Sequence, residues 1–309
     1  MPESDLIPVT VIGGYLGAGK TTVINSLLAE PHGRRLAVLV NDFGALDVDA
    51  RLIAARGANT VSLTNGCVCC SITDALGDGL DEVLALDPPP QQIVIETSGV
   101  ADPGKIAVYG QGWPGVRLDT VVTVLDATSM AANAADRFVG SLIVRQLAAA
   151  DLILLSKTDL LNDVTLAAAH RWLHAKIGTT PVVAMEHGRL PPPVLLDIGT
   201  GDAHRPGGGG QPARTAGEPG DGVGFGSQVI DIDGPIDRAV LEGALDEWPD
   251  AVVRVKGFVR TTEPGRPVRE VQRVGRRWAI EPSDQPDAPS ALVLVVIGGH
   301  PSAPFRLLS

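Results

Sequence analysis

Val9-Thr10-Val11-Ile12-Gly13-Gly14-Tyr15-Leu16-Gly17-Ala18-Gly19-Lys20-Thr21-Thr22 decides the fold. Its first four residues are apolar or β-branched and read as a buried parallel strand. From Gly14 to Thr21 the chain matches G-x-x-x-x-G-K-[ST] at every fixed position. Thr21 to Leu28 then reads as a helix with Ile24, Leu27 and Leu28 on one face. Strand, glycine-rich loop and helix make a phosphate cradle. Glycines let backbone N–H groups curl around an anion, and the helix N-terminus adds its positive dipole end. Gly14, Gly17, Ala18, Gly19, Lys20, Thr21 and Thr22 are the expected nucleotide-binding residues. Lys20 is placed to reach the β- and γ-phosphates and the Thr21 hydroxyl to ligate Mg²⁺.

Outward from that loop, strand-like runs recur at Leu36–Val40, Thr60–Leu63, Gln92–Ile95, Thr120–Leu125, Leu152–Leu155 and Pro181–Ala184. Helical stretches fall at Asp74–Leu86, Val139–Ala149 and Leu166–Ile177. The alternation implies an α/β fold: a P-loop NTPase domain with a parallel sheet and helices on both faces. From Pro191 the pattern breaks into glycine and proline, and it returns at Gln228 with strands and one helix, Ile236–Leu245. The expected organisation is a P-loop domain over 1–200, a flexible linker over 201–227 and a smaller C-terminal α+β domain over 228–309.

A P-loop needs an acid near its Mg²⁺, carried on a neighbouring strand end. Gln92-Ile93-Val94-Ile95 runs into Glu96-Thr97-Ser98-Gly99, so Glu96 is the expected Mg²⁺ acid and Gly99 the γ-phosphate sensor. Lys20, Glu96 and Gly99 form the expected catalytic set. Asp126, after Val124-Leu125, is a competing acid that reads better as a turn residue at a strand end. After the strand at 152–155 comes Ser156-Lys157-Thr158-Asp159, N-K-x-D with Ser in the first place. An Asp carboxylate there accepts from guanine N1–H and the 2-amino group, which adenine lacks. Lys157 and Asp159 are therefore the expected base-binding residues, Lys157 laying its stem along the ring.

Asn65-Gly66-Cys67-Val68-Cys69-Cys70 holds all three cysteines of the chain. Adjacent cysteines do not pair without strain, and three thiolates suit zinc or another borderline ion. Three ligands fall one short of the four of a closed structural zinc site. His170 and His174, four apart, read as a solvated helix face.

Composition limits the rest. With a net charge of −11 and no basic stripe, no nucleic-acid partner is expected. The longest apolar runs, such as Ala291–Ile297, fall far short of the roughly 18 residues of a membrane span. Met1-Pro2-Glu3-Ser4-Asp5 lacks the positive region of a signal peptide, so a cytoplasmic protein is expected.

Taken together, the P-loop, Asn41-Asp42-Phe43-Gly44, the C-x-C-C segment, Glu96-Thr97-Ser98-Gly99-Val100-Ala101-Asp102-Pro103 and Ser156–Leu160 resemble the CobW-type GTPases. The resemblance continues through Arg254-Val255-Lys256-Gly257-Phe258 and Val271-Gln272-Arg273-Val274-Gly275. It implies a GTP-dependent metallochaperone using GTP and Mg²⁺; hydrolysis is expected to be slow, as for GTPases without a catalytic Arg supplied in place. Cys67, Cys69 and Cys70 would bind Zn²⁺ or Co²⁺ for an unidentified metalloprotein client, and a homodimer is one possible assembly. Asp42 stands where that family more often has Glu, Thr64 where Glu is frequent, and Ser156 where Asn is usual. Two other readings stay open: a P-loop kinase of small molecules, and a metalloenzyme activator whose metal is structural.

Overall fold

The computed structural model describes residues 6–30, 32–40, 59–62, 72–185, 187–196, 225–265, 267–275, 277–283, 285–288 and 290–297. The chain divides into two compact units, one over Glu3–Asp197 and the other over Ile198–Ser309.

The first unit is built on seven parallel strands: β1 (Ile7–Gly13), β2 (Leu36–Val40), β3 (Asn59–Ser62), β4 (Gln92–Glu96), β5 (Val116–Asp126), β6 (Leu152–Ser156) and β7 (Val182–Ala184). Their order is β3-β2-β4-β1-β5-β6-β7. Strands β2 to β4 lie on one side of β1 and strands β5 to β7 on the other. The crevice beyond the carboxyl end of β1 is thus the topological switch point, where open α/β sheets bind ligands. The burial is continuous rather than alternating: all five residues of β2, β4 and β6 are buried, as a sheet covered on both faces requires.

The intervening helices are α1 (Lys20–Ala29), α2 (Ile72–Leu84), α3 (Pro103–Gln111), α4 (Met130–Ala135), α5 (Gly140–Ala148), α6 (Asp163–Ile177) and α7 (Pro192–Leu195). Leu76, Leu80 and Val83 of α2 join Ile106 and Ala107 of α3 over Val9, Val11, Leu39, Ile93 and Ile95. Ile143 and Leu147 of α5 pack with Ala169 and Leu173 of α6 over Leu125, Ile153 and Leu155. Thr10, between Val9 and Val11, points to the opposite face. There its hydroxyl donates to the Leu195 carbonyl at 3.0 Å and accepts from the buried Gln92 amide at 2.8 Å.

Helix α3 is absent from the sequence reading. Gly104, Gly110 and the exposed Val108 blur its apolar periodicity. Its start was nonetheless encoded. Asp102 caps it by accepting from Gly104 N–H at 3.0 Å, and Pro103 opens the first turn.

In the second unit, β8 (Phe225–Asp231), β9 (Val252–Arg260), β10 (Val268–Val274), β11 (Arg277–Pro282) and β12 (Ala291–Ile297) form an antiparallel sheet ordered β11-β10-β9-β12-β8. Helix α8 (Arg238–Glu247) lays Leu241 and Leu245 over Val255, Val259, Val271 and Leu292. Strand β8 begins at Phe225, three residues inside the stretch that the sequence assigned to the linker. The helix begins at Arg238 rather than Ile236, because Asp237 caps it and Ile236 is drawn into a bridge with Thr261. Among the described residues no helix is long and apolar enough to cross a membrane.

Candidate active site

The loop after β1 turns on glycines. Gly14 has φ 137°, Gly17 φ 72° and Gly19 φ 101°. A Cβ on Gly14 would sit 2.2 Å from the Val124 carbonyl oxygen, so only glycine lets the loop leave β1 here. Gly19 occupies the N-cap of α1 with no side-chain cap, which leaves the helix's first amides to an anion. Lys20 is almost buried, and its ammonium donates to the Gly14 and Tyr15 carbonyls at 2.9 and 3.4 Å.

Thr21 and Glu96 meet across the crevice, the hydroxyl donating to Glu96 Oε1 at 2.9 Å. Glu96 is 4% exposed and ends β4, whose register with β1 sets it opposite Ile12. Both donors are hard oxygens beside a phosphate-binding loop, which fits Mg²⁺. Gly99 abuts the P-loop: a Cβ there would lie 2.7 Å from the Leu16 nitrogen. Buried Gln146 of α5 holds that segment, donating to the carbonyls of Gly99 at 3.3 Å and Ala101 at 2.9 Å. Gly17, Lys20, Thr21, Val40, Glu96 and Gly99 border one cavity of about 320 Å³.

The end of β6 approaches from the other side. Ser156 donates to the Ala18 carbonyl at 2.6 Å and so ties this segment to the P-loop. Lys157 follows with φ 58° and ψ 30°, and its ammonium bonds Asp126 Oδ2 at 2.5 Å. Thr158 donates to the Met185 carbonyl at 2.8 Å. Asp159 lies 3.8 Å from His187 Nδ1. A Cβ on Gly188 would come 2.6 Å from the Thr22 methyl, which places the segment after β7 against α1.

Asp126 is in register with Ser156. Burial opposes its ionisation. Hydrogen bonds from Lys157 and Thr128 outweigh that and hold its carboxyl below the usual value. Both its oxygens are engaged by Lys157 and Thr128, whereas Glu96 takes Thr21. The sequence reading missed the contacts of Gln146, Asp126 and His187. Only Asp126 carried a signal, its position at a strand end.

Cys67, Cys69, Cys70 and Asn41–Gly44 lie outside the described residues, though α2 begins two residues after Cys70. Among the described residues no group of three or more His, Cys, Asp or Glu side chains is gathered to hold a metal ion. His170 and His174 are exposed on α6.

Residues 8–184 match the model of the CobW/HypB/UreG nucleotide-binding domain. The chain belongs to the CobW/HypB/UreG family. Residues 225–304 match the cobalamin synthesis protein CobW C-terminal domain, so this chain carries both modules. The zinc chaperone CobW of Sinorhizobium sp is 34% identical over 88% of this chain and 86% of that protein. The zinc chaperone YjiA of Escherichia coli K12 is 37% identical over 60% of this chain and 59% of its own length. The crystal structure of Zn(II)-bound YjiA GTPase from E. coli is 27% identical with a TM-score of 0.48, covering 95% of this chain and 94% of that one.

Proposed function

We propose that this protein is a GTP-dependent metallochaperone. It hydrolyses GTP to GDP and phosphate and couples the cycle to binding and release of a divalent transition metal. Zinc is the first candidate cargo and cobalt the second. The relatives named zinc chaperones and the cysteine segment support zinc. An unidentified metalloprotein is the recipient.

The observation that carries the reading is the contact of Thr21 with Glu96 on one side of the P-loop and of Ser156 with Ala18 on the other. The P-loop segment thus touches the end of β4 on one side and the end of β6 on the other, which supports phosphate binding beside base binding. Gly14 to Thr21 would wrap the phosphates with backbone N–H groups, and Lys20 would balance charge at the β–γ bridge. Thr21 and Glu96 would hold Mg²⁺, which when bound supplies positive charge to the phosphate oxygens. Water attacks the γ-phosphorus, the bond to the β–γ bridging oxygen breaks, and that oxygen leaves on GDP. Asp159 would accept from the guanine edge.

Nucleotide state reaches the metal through chain order. The Asn41–Gly44 and Glu96–Gly99 segments flank the cysteine segment in sequence. Ordering of both by a γ-phosphate would change thiolate geometry. The test is zinc affinity with GMPPNP and with GDP, alongside phosphate release. Different affinities are expected. Equal affinities would remove the coupling, and phosphate transfer to a small acceptor would make the protein a kinase.

A further inference from the structure

We propose that Asp126 is a positioning residue of the base pocket, acting through Lys157. The proposal rests on the reading that Lys157 and Asp159 bind guanine. Asp126 is not spent on the Mg²⁺ side of the site, since Glu96 is the carboxylate at Thr21. Instead it closes β5 directly beside Ser156 and is fixed through both oxygens. Oδ1 accepts from Thr128 N–H at 2.8 Å and from the Thr128 hydroxyl at 2.6 Å. Oδ2 takes the Lys157 ammonium at 2.5 Å.

Lys157 needs such an anchor. Its backbone is left-handed, an unfavourable conformation for a residue other than glycine. Its neighbours are pinned: Ser156 on Ala18, Thr158 on Met185. The backbone is therefore held from both sides and the ammonium is held by Asp126. With both ends of the side chain tethered, the four-carbon stem becomes a fixed apolar strip, suited to the face of a purine ring. Among the described residues, Lys157 pairs with Asp126, and His187 lies against Asp159 on the same segment. Asp159 reads the base edge, and the Asp126–Lys157 pair supports its face.

A face support acts on every purine, whereas an edge reader chooses among them. Asp126→Asn keeps an acceptor for Thr128 and removes the charge that holds Lys157. We expect GDP, IDP and ADP each to bind about tenfold more weakly, the equivalent of about 1.4 kcal/mol. Their relative affinities should be unchanged, and the loss for GTP turnover should fall on KM more than on kcat. Lys157→Ala should weaken the same three nucleotides, and the double variant should lose no more than Lys157→Ala. If Lys157→Ala leaves GDP affinity intact, the base reading fails and this inference with it. If Lys157→Ala weakens GDP while Asp126→Asn does not, the base reading stands and the positioning role is overturned. Additive losses in the double variant would mean that Asp126 does not act through Lys157, and would overturn the positioning role.

Discussion

The Thr21 hydroxyl donates to Glu96 Oε1 at 2.9 Å, joining the first turn of α1 to the end of β4. Seventy-five residues separate them in the chain, so the pairing is a product of the parallel register of β1 and β4. Glu96→Gln preserves the size and a hydrogen-bonding oxygen but removes the charge that would favour Mg²⁺. GTP hydrolysis should fall by about a hundredfold, with an increased Mg²⁺ requirement. Nucleotide affinity in EDTA should stay close to that of the parent. Single-turnover phosphate release across a Mg²⁺ titration checks it, and an unaltered rate would remove Glu96 from the catalytic set.

Base choice has a chemical signature. If Asp159 accepts from guanine N1–H and the 2-amino group, Asp159→Asn should reverse the preference toward xanthine nucleotides, whose 2-oxo group accepts from an amide. Competition of GDP and XDP for the P-loop site should swing by roughly a hundredfold, because a mismatched polar edge leaves groups unpaired. Loss of GDP binding with no gain for XDP would argue that Asp159 supports the loop instead.

The phosphate side of this site was legible because its residues are consecutive and their chemistry is tied to spacing. Glu96 was proposed from its place at a strand end, and the register of β1 with β4 sets it beside Thr21. The restraints were not legible. Gln146 reaches the Gly99 and Ala101 carbonyls from 45 or more residues away, and nothing in a helix marks one glutamine for that. Asp126 read as a competing acid or a turn residue at a strand end, and its pairing with Lys157 emerges only when β5 and β6 are set side by side. The α3 start carried both an aspartate cap and a proline at the first turn. It was missed because glycines diluted the apolar pattern by which helices are found. Likewise Asp237 marked the true start of α8, while the apolar Ile236 drew the boundary two residues early.

Acid should expose the Asp126–Lys157 pair. The Asp126 carboxyl lies below its ordinary value of 3.8 despite burial, because Lys157 and Thr128 donate to it. A carboxyl lowered in the folded state adds stability that is complete above its ordinary value. That contribution disappears as pH falls through the lowered one. Wild type should therefore exceed Asp126→Asn in Tm at pH 7, with the gap constant down to about pH 5 and closing toward pH 3. Thermal melts of both proteins across that range measure it. A gap independent of pH would mean that the pair contributes no charge-dependent stability.

The helix that follows the cysteine segment is held by aromatic packing. Gly77 of α2 lies where a Cβ would be 2.7 Å from Trp113 Cη2 and 2.9 Å from the Tyr109 hydroxyl. The two rings stack with centroids 5.6 Å apart, and Trp113 Nε1 donates to Asp81 Oδ1 at 3.0 Å. Gly77→Ala gains up to about 1 kcal/mol in helix propensity, against an overpacking cost of about 1–3 kcal/mol. Overpacking should win, because a large indole and a neighbouring ring must move together, and unfolding in urea should show a net loss of about 1–2 kcal/mol. The functional effect should be larger than the stability effect. Tyr109 sits on α3, which starts where the Glu96–Asp102 segment ends, and α2 starts just beyond Cys70. If α2 and α3 move as one body between nucleotide states, pushing them apart should narrow the difference in zinc affinity between GMPPNP- and GDP-bound protein. Unchanged nucleotide dependence in a folded Gly77→Ala variant would show that the signal to the cysteines does not pass through this contact.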